Sequence, residues 1–159
     1  MTKIFLDCDG VLADFDRHAA SYFGMPSREF ERRFGAQAFW SAIKKAGDFF
    51  IELPIMSDAH ELVHGVAHLN PVILTGCPRG GWAEEQKLKW AEEHFPELTM
   101  ITCQSSEKRE HASAGDVLID DWPKYRHRWV SMGGVFISHY DAKSSLDTLW
   151  AHYPALALW

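Results

Sequence analysis

Five short runs of apolar residues recur along the chain: KIFLDC (3–8), PVILTG (71–76), LTMITC (98–103), DVLIDD (116–121) and GVFISH (134–139). Each is apolar nearly throughout rather than alternating with polar residues, the pattern of strands covered on both faces. Between the later runs the apolar positions change to helical spacing. Ser57 is placed as an N-cap ahead of Leu62, Val63, Val66 and Leu69. Residues 81–95 are rich in helix formers, Pro123 suits the first turn of a helix over 123–131, and 144–153 reads as the last helix. Strand alternating with helix predicts an α/β fold: a Rossmann-like parallel sheet of five strands, flanked by helices and joined by crossovers.

One interval breaks that rhythm. About sixty residues separate the first two strands, far more than a crossover helix needs. Within it Phe15, Ala19, Tyr22 and Phe23 share a helical face that ends at Gly24 and Pro26. SREFERRF (27–34) stops at Gly35, and a third helical segment follows at 39–47. The expectation is a core formed by residues 1–13 and 54–159, with a small helical cap over 14–53 inserted after the first strand.

Composition narrows the partners. At 159 residues the chain fits one domain with an insertion, and 47% hydrophobic residues suffice for a real core. A net charge of −6 argues against a nucleic-acid polymer, which calls for a basic face, but leaves room for a small phosphorylated substrate. No apolar run approaches the roughly 20 residues needed to span a bilayer, and no basic segment with an apolar stretch opens the chain, so neither membrane nor secretion is expected. Cys8, Cys77 and Cys103 are odd in number and form no CxxC pair, which fits buried thiols in a reducing cytoplasm. The nine histidines lack ligand spacing, so His111 and His139 are read as surface or packed residues. Trp90, Trp129 and Trp150 are read as packing helices onto the sheet, and Trp159 as an anchor for the tail or a partner contact.

The chemistry gathers at strand ends. In parallel α/β sheets ligands bind at the carboxyl edge, where the first strand ends in Asp7-Cys8-Asp9-Gly10, the second in Thr75-Gly76 and the fourth in Asp120-Asp121. Residues two apart on an extended chain face the same way, so Asp7 and Asp9 can address one site. Carboxylates so placed need a cation between them or a proton on one of them. All-oxygen ligands with room for water suit Mg²⁺. Singly, Asp120-Asp121 is equally a solvated turn or a helix cap, and Thr75 a structural hydroxyl. A calcium loop is disfavoured, since position twelve counted from Asp7 is His18.

DCDGVLADFD (7–16), ILTG (73–76) and VLIDDWP (117–123) resemble the first, second and fourth motifs of the haloacid dehalogenase superfamily of phosphohydrolases. The resemblance implies that Asp7 is a nucleophile forming an aspartyl-phosphate and that Asp9 serves as acid and then base, its backbone carbonyl touching the metal. It implies further that Thr75 donates to a phosphoryl oxygen and that Asp120 and Asp121 hold Mg²⁺ directly or through water. The superfamily also places a lysine on the phosphate; Lys108 in SSEKREHA stands in the region of the third motif, with Lys87 in EEQKLKW as its competitor.

A narrower resemblance is to the 5′(3′)-deoxyribonucleotidases, carried by DCDGVLADF, FW at 39–40, DFFIELP at 48–54, QKLKWAEEHF at 86–95 and LIDDWP. It implies a nucleoside enclosed by Phe15, Phe39, Trp40 and Phe50. Arg79, just past Thr75-Gly76, is placed to meet the phosphate or the base, or else lies on the surface, and Gly76 is counted with it among the substrate-binding positions. The same aromatics would equally serve as the core of a small cap. The chain departs from that pattern at Gly76, where a hydroxyl residue is usual, at Trp122 in place of arginine, and near Lys44, where an aromatic is expected. The function expected is a Mg²⁺-dependent phosphomonoesterase for deoxynucleoside monophosphates. A phosphatase for another small metabolite, such as a sugar phosphate, is the alternative within enzymes, and a phosphate-binding module without turnover the alternative outside them.

Overall fold

In the computed structural model, which describes residues 1–158, the five apolar runs form β1 (Ile4–Leu6), β2 (Val72–Gly76), β3 (Thr99–Cys103), β4 (Val117–Asp120) and β5 (Val135–Ser138). They make one all-parallel sheet in the order β3-β2-β1-β4-β5. The strand order reverses at β1, so the crevice that such a sheet leaves at its carboxyl edge opens beside the end of this strand. Leu6 pairs with Ile73 of β2 and Ile119 of β4, which brings all three strand ends named above to one place.

Both faces of the sheet are covered. Ile4, Leu6, Ile73, Val117, Ile119 and Ile137 join the larger core, whereas Phe5, Leu74, Leu118 and Phe136 pack with Trp129 on the opposite face. The alternation of these two sets along each strand is the pleat itself, and it explains why the strands read as continuous apolar runs. Trp90 and Trp129 are both buried; their indole N–H groups donate to the carbonyls of Leu53 and Asp116 at 2.8 and 3.2 Å. Trp150 is half-buried against the larger core, and Trp159 lies outside the described residues. All three cysteines are unpaired. Among the described residues no helix is long and apolar enough to cross a membrane.

Between β1 and β2 run four helices: α1 (Phe15–Phe23), α2 (Ser27–Phe34), α3 (Ala36–Lys45) and α4 (Ala59–Val66). The Asp14 carboxylate caps α1 by accepting from the Arg17 N–H at 3.3 Å. The first three helices are joined largely through aromatic rings. Phe23 stacks on Phe30 with centroids 4.1 Å apart, and Phe15 touches Phe39, Trp40, Phe49 and Phe50.

The remaining helices are α5 (Glu84–His94), α6 (Arg126–Ser131, after a 3₁₀ turn at Pro123–Tyr125) and α7 (Ala142–His152). One sequence expectation fails here. Ser57 does not cap α4; Asp58 occupies the cap position and makes no side-chain bond to its own helix. Its carboxylate instead accepts from the Ala142 N–H at 2.6 Å, at the start of α7. The cap thus falls one residue later than expected, and its carboxylate serves a tertiary partner rather than its own helix.

Candidate active site

Asp7 continues the β1–β4 ladder by one residue, its N–H donating to the Ile119 carbonyl at 2.9 Å. The carboxylate therefore lies beside Asp120, the last residue of β4. Lys108 comes from a 3₁₀ segment (Ser105–His111) after β3. Its ammonium donates to Asp7 Oδ1 at 2.8 Å and to Asp120 Oδ2 at 3.0 Å. The Trp122 N–H donates to the second oxygen, Asp120 Oδ1, at 3.0 Å. Asp7, Asp120 and Lys108 are all buried. One carboxylate oxygen from each of Asp7, Asp120 and Asp121 lies within 4.8 Å of the others, and Asp121 is the most open of the three.

The chain turns sharply away from Asp9. Val11, Leu12 and Ala13 all direct their N–H groups at the Cys8 carbonyl, and Gly10 adopts φ +84°. A Cβ at Gly10 would fall on the Asp121 carboxylate, so glycine is required there both by conformation and by space.

Asp9 faces a different lysine. Lys87, from α5, is 2% exposed and donates to Asp9 Oδ2 at 2.7 Å, to Thr75 Oγ1 at 2.9 Å and to the Gly76 carbonyl at 2.8 Å. Its ammonium also lies 4.7 Å from the centroid of the Phe50 ring. The other oxygen, Asp9 Oδ1, is buried and has no protein partner.

Electrostatics follow from this placement. Burial works to raise the Asp7 pKa, but the Lys108 ammonium outweighs it and holds Asp7 below the usual carboxylate range. Burial and the charge of Asp7 push Asp120 up to about 7; burial, Asp7 and Asp120 push Asp121 up to about 8. Burial, then Asp7, also raises Asp9 against the pull of Lys87. Without a further cation, Asp120 and Asp121 thus take up protons near neutral pH while Asp7 stays ionised beside Lys108. The donor set is hard, anionic and convergent, with Lys108 already bridging Asp7 and Asp120, and this fits a divalent cation such as Mg²⁺. Asp7, Asp120 and Asp121 are the side chains that would hold it.

A cavity of about 860 Å³ opens over this cluster, lined by Asp7, Asp9, Lys108, Asp120 and Asp121. Phe15, Phe39, Trp40, Gly76 and Arg79 line it too. Two expected site residues do not reach it. Phe50 is fully buried beneath Lys87, and Thr75 is fully buried with its hydroxyl on the same ammonium. Lys108 and Lys87 are not competitors for one place: the first meets Asp7 at the cavity, the second anchors Asp9 from below. His111 is exposed, and the His139 ring is buried against Ser145 Oγ at 2.7 Å.

The structure adds residues that sequence reasoning missed. Gln104, Ser105 and Ser106, just beyond β3, also line the cavity. The Ser105 side chain occupies the space where a Cβ at Gly76 would stand, so the glycine makes way for a hydroxyl supplied by a neighbouring strand end. Arg28 and Arg32 of α2 face the same cavity; on sequence they read as an ordinary solvated helix face.

No family model matches the chain, and no curated protein does. Solved structures do share its fold. A hydrolase from Streptococcus pneumoniae TIGR4 is similar over 92% of this chain and 97% of its own, at 11% identity and a TM-score of 0.59. A HAD family hydrolase from Deinococcus radiodurans R1, solved with bound phosphate and sodium, is similar over 98% of this chain and 96% of its own, at 12% identity and a TM-score of 0.55. A predicted phosphatase from Clostridium acetobutylicum is similar over 97% and 98%, at 10% identity and a TM-score of 0.55. At such identities the likeness is one of fold.

Proposed function

We propose that this chain is a phosphoric monoester hydrolase of the haloacid dehalogenase type, with residues 14–53 serving as a cap over the site. The observation that carries the reading is the convergence of Asp7, Asp120 and Asp121 around Lys108 at the point where the sheet reverses. The fold shared with a HAD family hydrolase solved with bound phosphate and with a predicted phosphatase supports it.

In this reading an Asp7 oxygen attacks the phosphorus, the ester P–O bond breaks, and the leaving oxygen takes a proton from Asp9. The aspartyl-phosphate so formed is opened when Asp9, now a carboxylate, takes a proton from a water that attacks phosphorus, releasing phosphate and restoring Asp7. Lys108 keeps Asp7 ionised for attack and presents positive charge to the incoming phosphate. Lys87 fixes the Asp9 carboxyl through Oδ2, while Oδ1 has no protein partner. Burial, then the charge of Asp7, raises the Asp9 pKa against the pull of Lys87, the direction that proton donation requires. When bound by Asp7, Asp120 and Asp121, Mg²⁺ supplies the charge neutralisation that lets an anionic nucleophile approach an anionic ester.

Among esters, Phe15, Phe39 and Trp40 lining the cavity favour a nucleoside monophosphate, a deoxynucleotide in this reading; base–aromatic stacking contributes roughly 1–3 kcal/mol. The test is phosphate release from deoxynucleotides, ribonucleotides and sugar phosphates, with Mg²⁺ and with chelator. Chelator-sensitive release that favours deoxynucleotides and vanishes in Asp7→Asn is expected. Preference for sugar phosphates would discard the nucleotide, and retained release in Asp7→Asn would discard the nucleophile. Binding of phosphate esters with no turnover would leave a binding module.

A further inference from the structure

Five arginines line the cavity outside the reaction centre: Arg28 and Arg32 on α2, Arg79 after β2, Arg109 beside Lys108, and Arg128 on α6. The chain has only 16 lysines and arginines and a net charge of −6, so a third of its basic residues converge on one concave surface of an acidic protein. Arg128 is committed, its Nη1 donating to the Ser106 carbonyl at 3.0 Å and its guanidinium lying over Tyr125. The other four form no ion pair among the described residues. The cavity's remaining acidic residues do not balance them: Asp16 is engaged by the Ser27 hydroxyl at 2.9 Å, and Glu31 stands alone.

The transferred phosphate does not account for this charge. Its place is over Asp7, where Lys108 already stands and where a divalent cation would add two more charges. Arg28 and Arg32 come from the opposite side of the chain's topology, on a helix inserted after β1. A guanidinium matches a phosphate with two parallel N–H bonds, which a surface meant only for water does not require.

We propose that the substrate carries a second phosphate, distant from the one transferred, and that Arg28 and Arg32 with Arg79 and Arg109 receive it. This rests on the phosphomonoesterase reading and narrows it to small bisphosphates, built on a nucleoside or on a sugar. Recognition through α2 places the second phosphate on the capping segment, so the substrate itself ties that segment to the sheet.

Matched pairs test it at fixed free Mg²⁺: deoxyadenosine 5′-monophosphate against the 3′,5′-bisphosphate, and glucose 6-phosphate against glucose 1,6-bisphosphate. At least a tenfold higher kcat/KM for one bisphosphate over its monophosphate is expected, and the pair that shows it identifies the scaffold. In an Arg28→Gln/Arg32→Gln double variant the ratio falls below about threefold, whatever happens to the absolute rates, while circular dichroism confirms the fold. Equal kcat/KM within both pairs, or a preference unchanged in the double variant, overturns the proposal while phosphate release from p-nitrophenyl phosphate keeps the parent reading alive. If no ester is turned over, the same pairs are compared by calorimetric binding. Tighter binding of a bisphosphate, weakened in the double variant and by salt, supports the subsite, and equal binding overturns it.

Discussion

The Lys87 ammonium sits 2.7 Å from Asp9 Oδ2, on a side chain 2% exposed, and holds Thr75 Oγ1 in the same grip. A lysine from the first turn of α5 thus sets the position of the second carboxylate of the site from beneath. Replacing it by methionine keeps most of the apolar stem and removes the charge, leaving Asp9 partly desolvated with no partner. Breaking a buried pair costs about 3–5 kcal/mol; since the Asp9 side chain keeps 27% exposure, Lys87→Met is expected to cost about 2–3 kcal/mol. Urea unfolding measures that loss. If Lys87 acts by placing Asp9, kcat falls at least tenfold with KM little changed, and Lys87→Arg, too bulky for the same three bonds, restores little.

Gly10 and Asp121 make the second prediction. A residue with a Cβ at φ +84° carries strain of about 1–3 kcal/mol, and here the Cβ also displaces the Asp121 carboxylate. Gly10→Ala is expected to weaken Mg²⁺ binding at least tenfold by calorimetry. Unchanged affinity in a folded variant would remove Asp121 from the metal site.

These two residues also mark where the sequence was legible. The sheet, its parallel sense and the meeting of Asp7, Asp120 and Asp121 followed from apolar runs and their polar ends, because strand periodicity and the carboxyl-edge rule act over a few residues. What Lys87 does was not readable. Spacing in EEQKLKW describes an exposed amphipathic helix, and only the packing of α5 against the end of β2 buries one lysine among two side chains and a carbonyl. Thr75 and Phe50 lie below the cavity for the same reason: both sit at the expected place in the chain, but each packs on the buried Lys87 ammonium. Arg28 and Arg32 become informative only when the helix bearing them is laid against the site.

Asp116 is a stability residue rather than a catalytic one. Its carboxylate accepts from the Lys3 N–H at 2.9 Å and the Ser113 N–H at 2.8 Å, while its carbonyl receives the Trp129 indole at 3.2 Å. It thereby joins the start of β1 to the loop before β4 and lies 4% exposed. Asp116→Ala leaves two partly buried donors unsatisfied, at about 1–3 kcal/mol. Chemical denaturation is expected to show that loss with kcat unaltered, and Asp116→Asn to recover part of it.

The last prediction concerns metal and pH together. In the metal-free protein the folded-state pKa values of Asp120 and Asp121 stand at about 7 and about 8, above the 3.8 of an ordinary aspartate. For a carboxyl raised on folding, the stabilising contribution is full below the unfolded value and is lost as pH rises through the folded one. With chelator present, the contribution of this pair therefore declines between about pH 4 and pH 8, as both groups ionise beside Asp7. Added Mg²⁺ acts in the opposite sense. It requires the ionised forms, so its binding releases protons and strengthens with pH. At a hundred times the dissociation constant, a ligand specific for the folded state stabilises by about 2.7 kcal/mol, a rise in Tm of several degrees for a chain this size. Thermal unfolding at pH 6 and pH 8, with Mg²⁺ and with chelator, is expected to show the larger metal-induced rise at pH 8. In Asp120→Asn/Asp121→Asn the rise disappears, and with it the metal-free decline toward pH 8. A metal-induced rise that is the same at both pH values, or that survives the double substitution, would place the cation on other ligands.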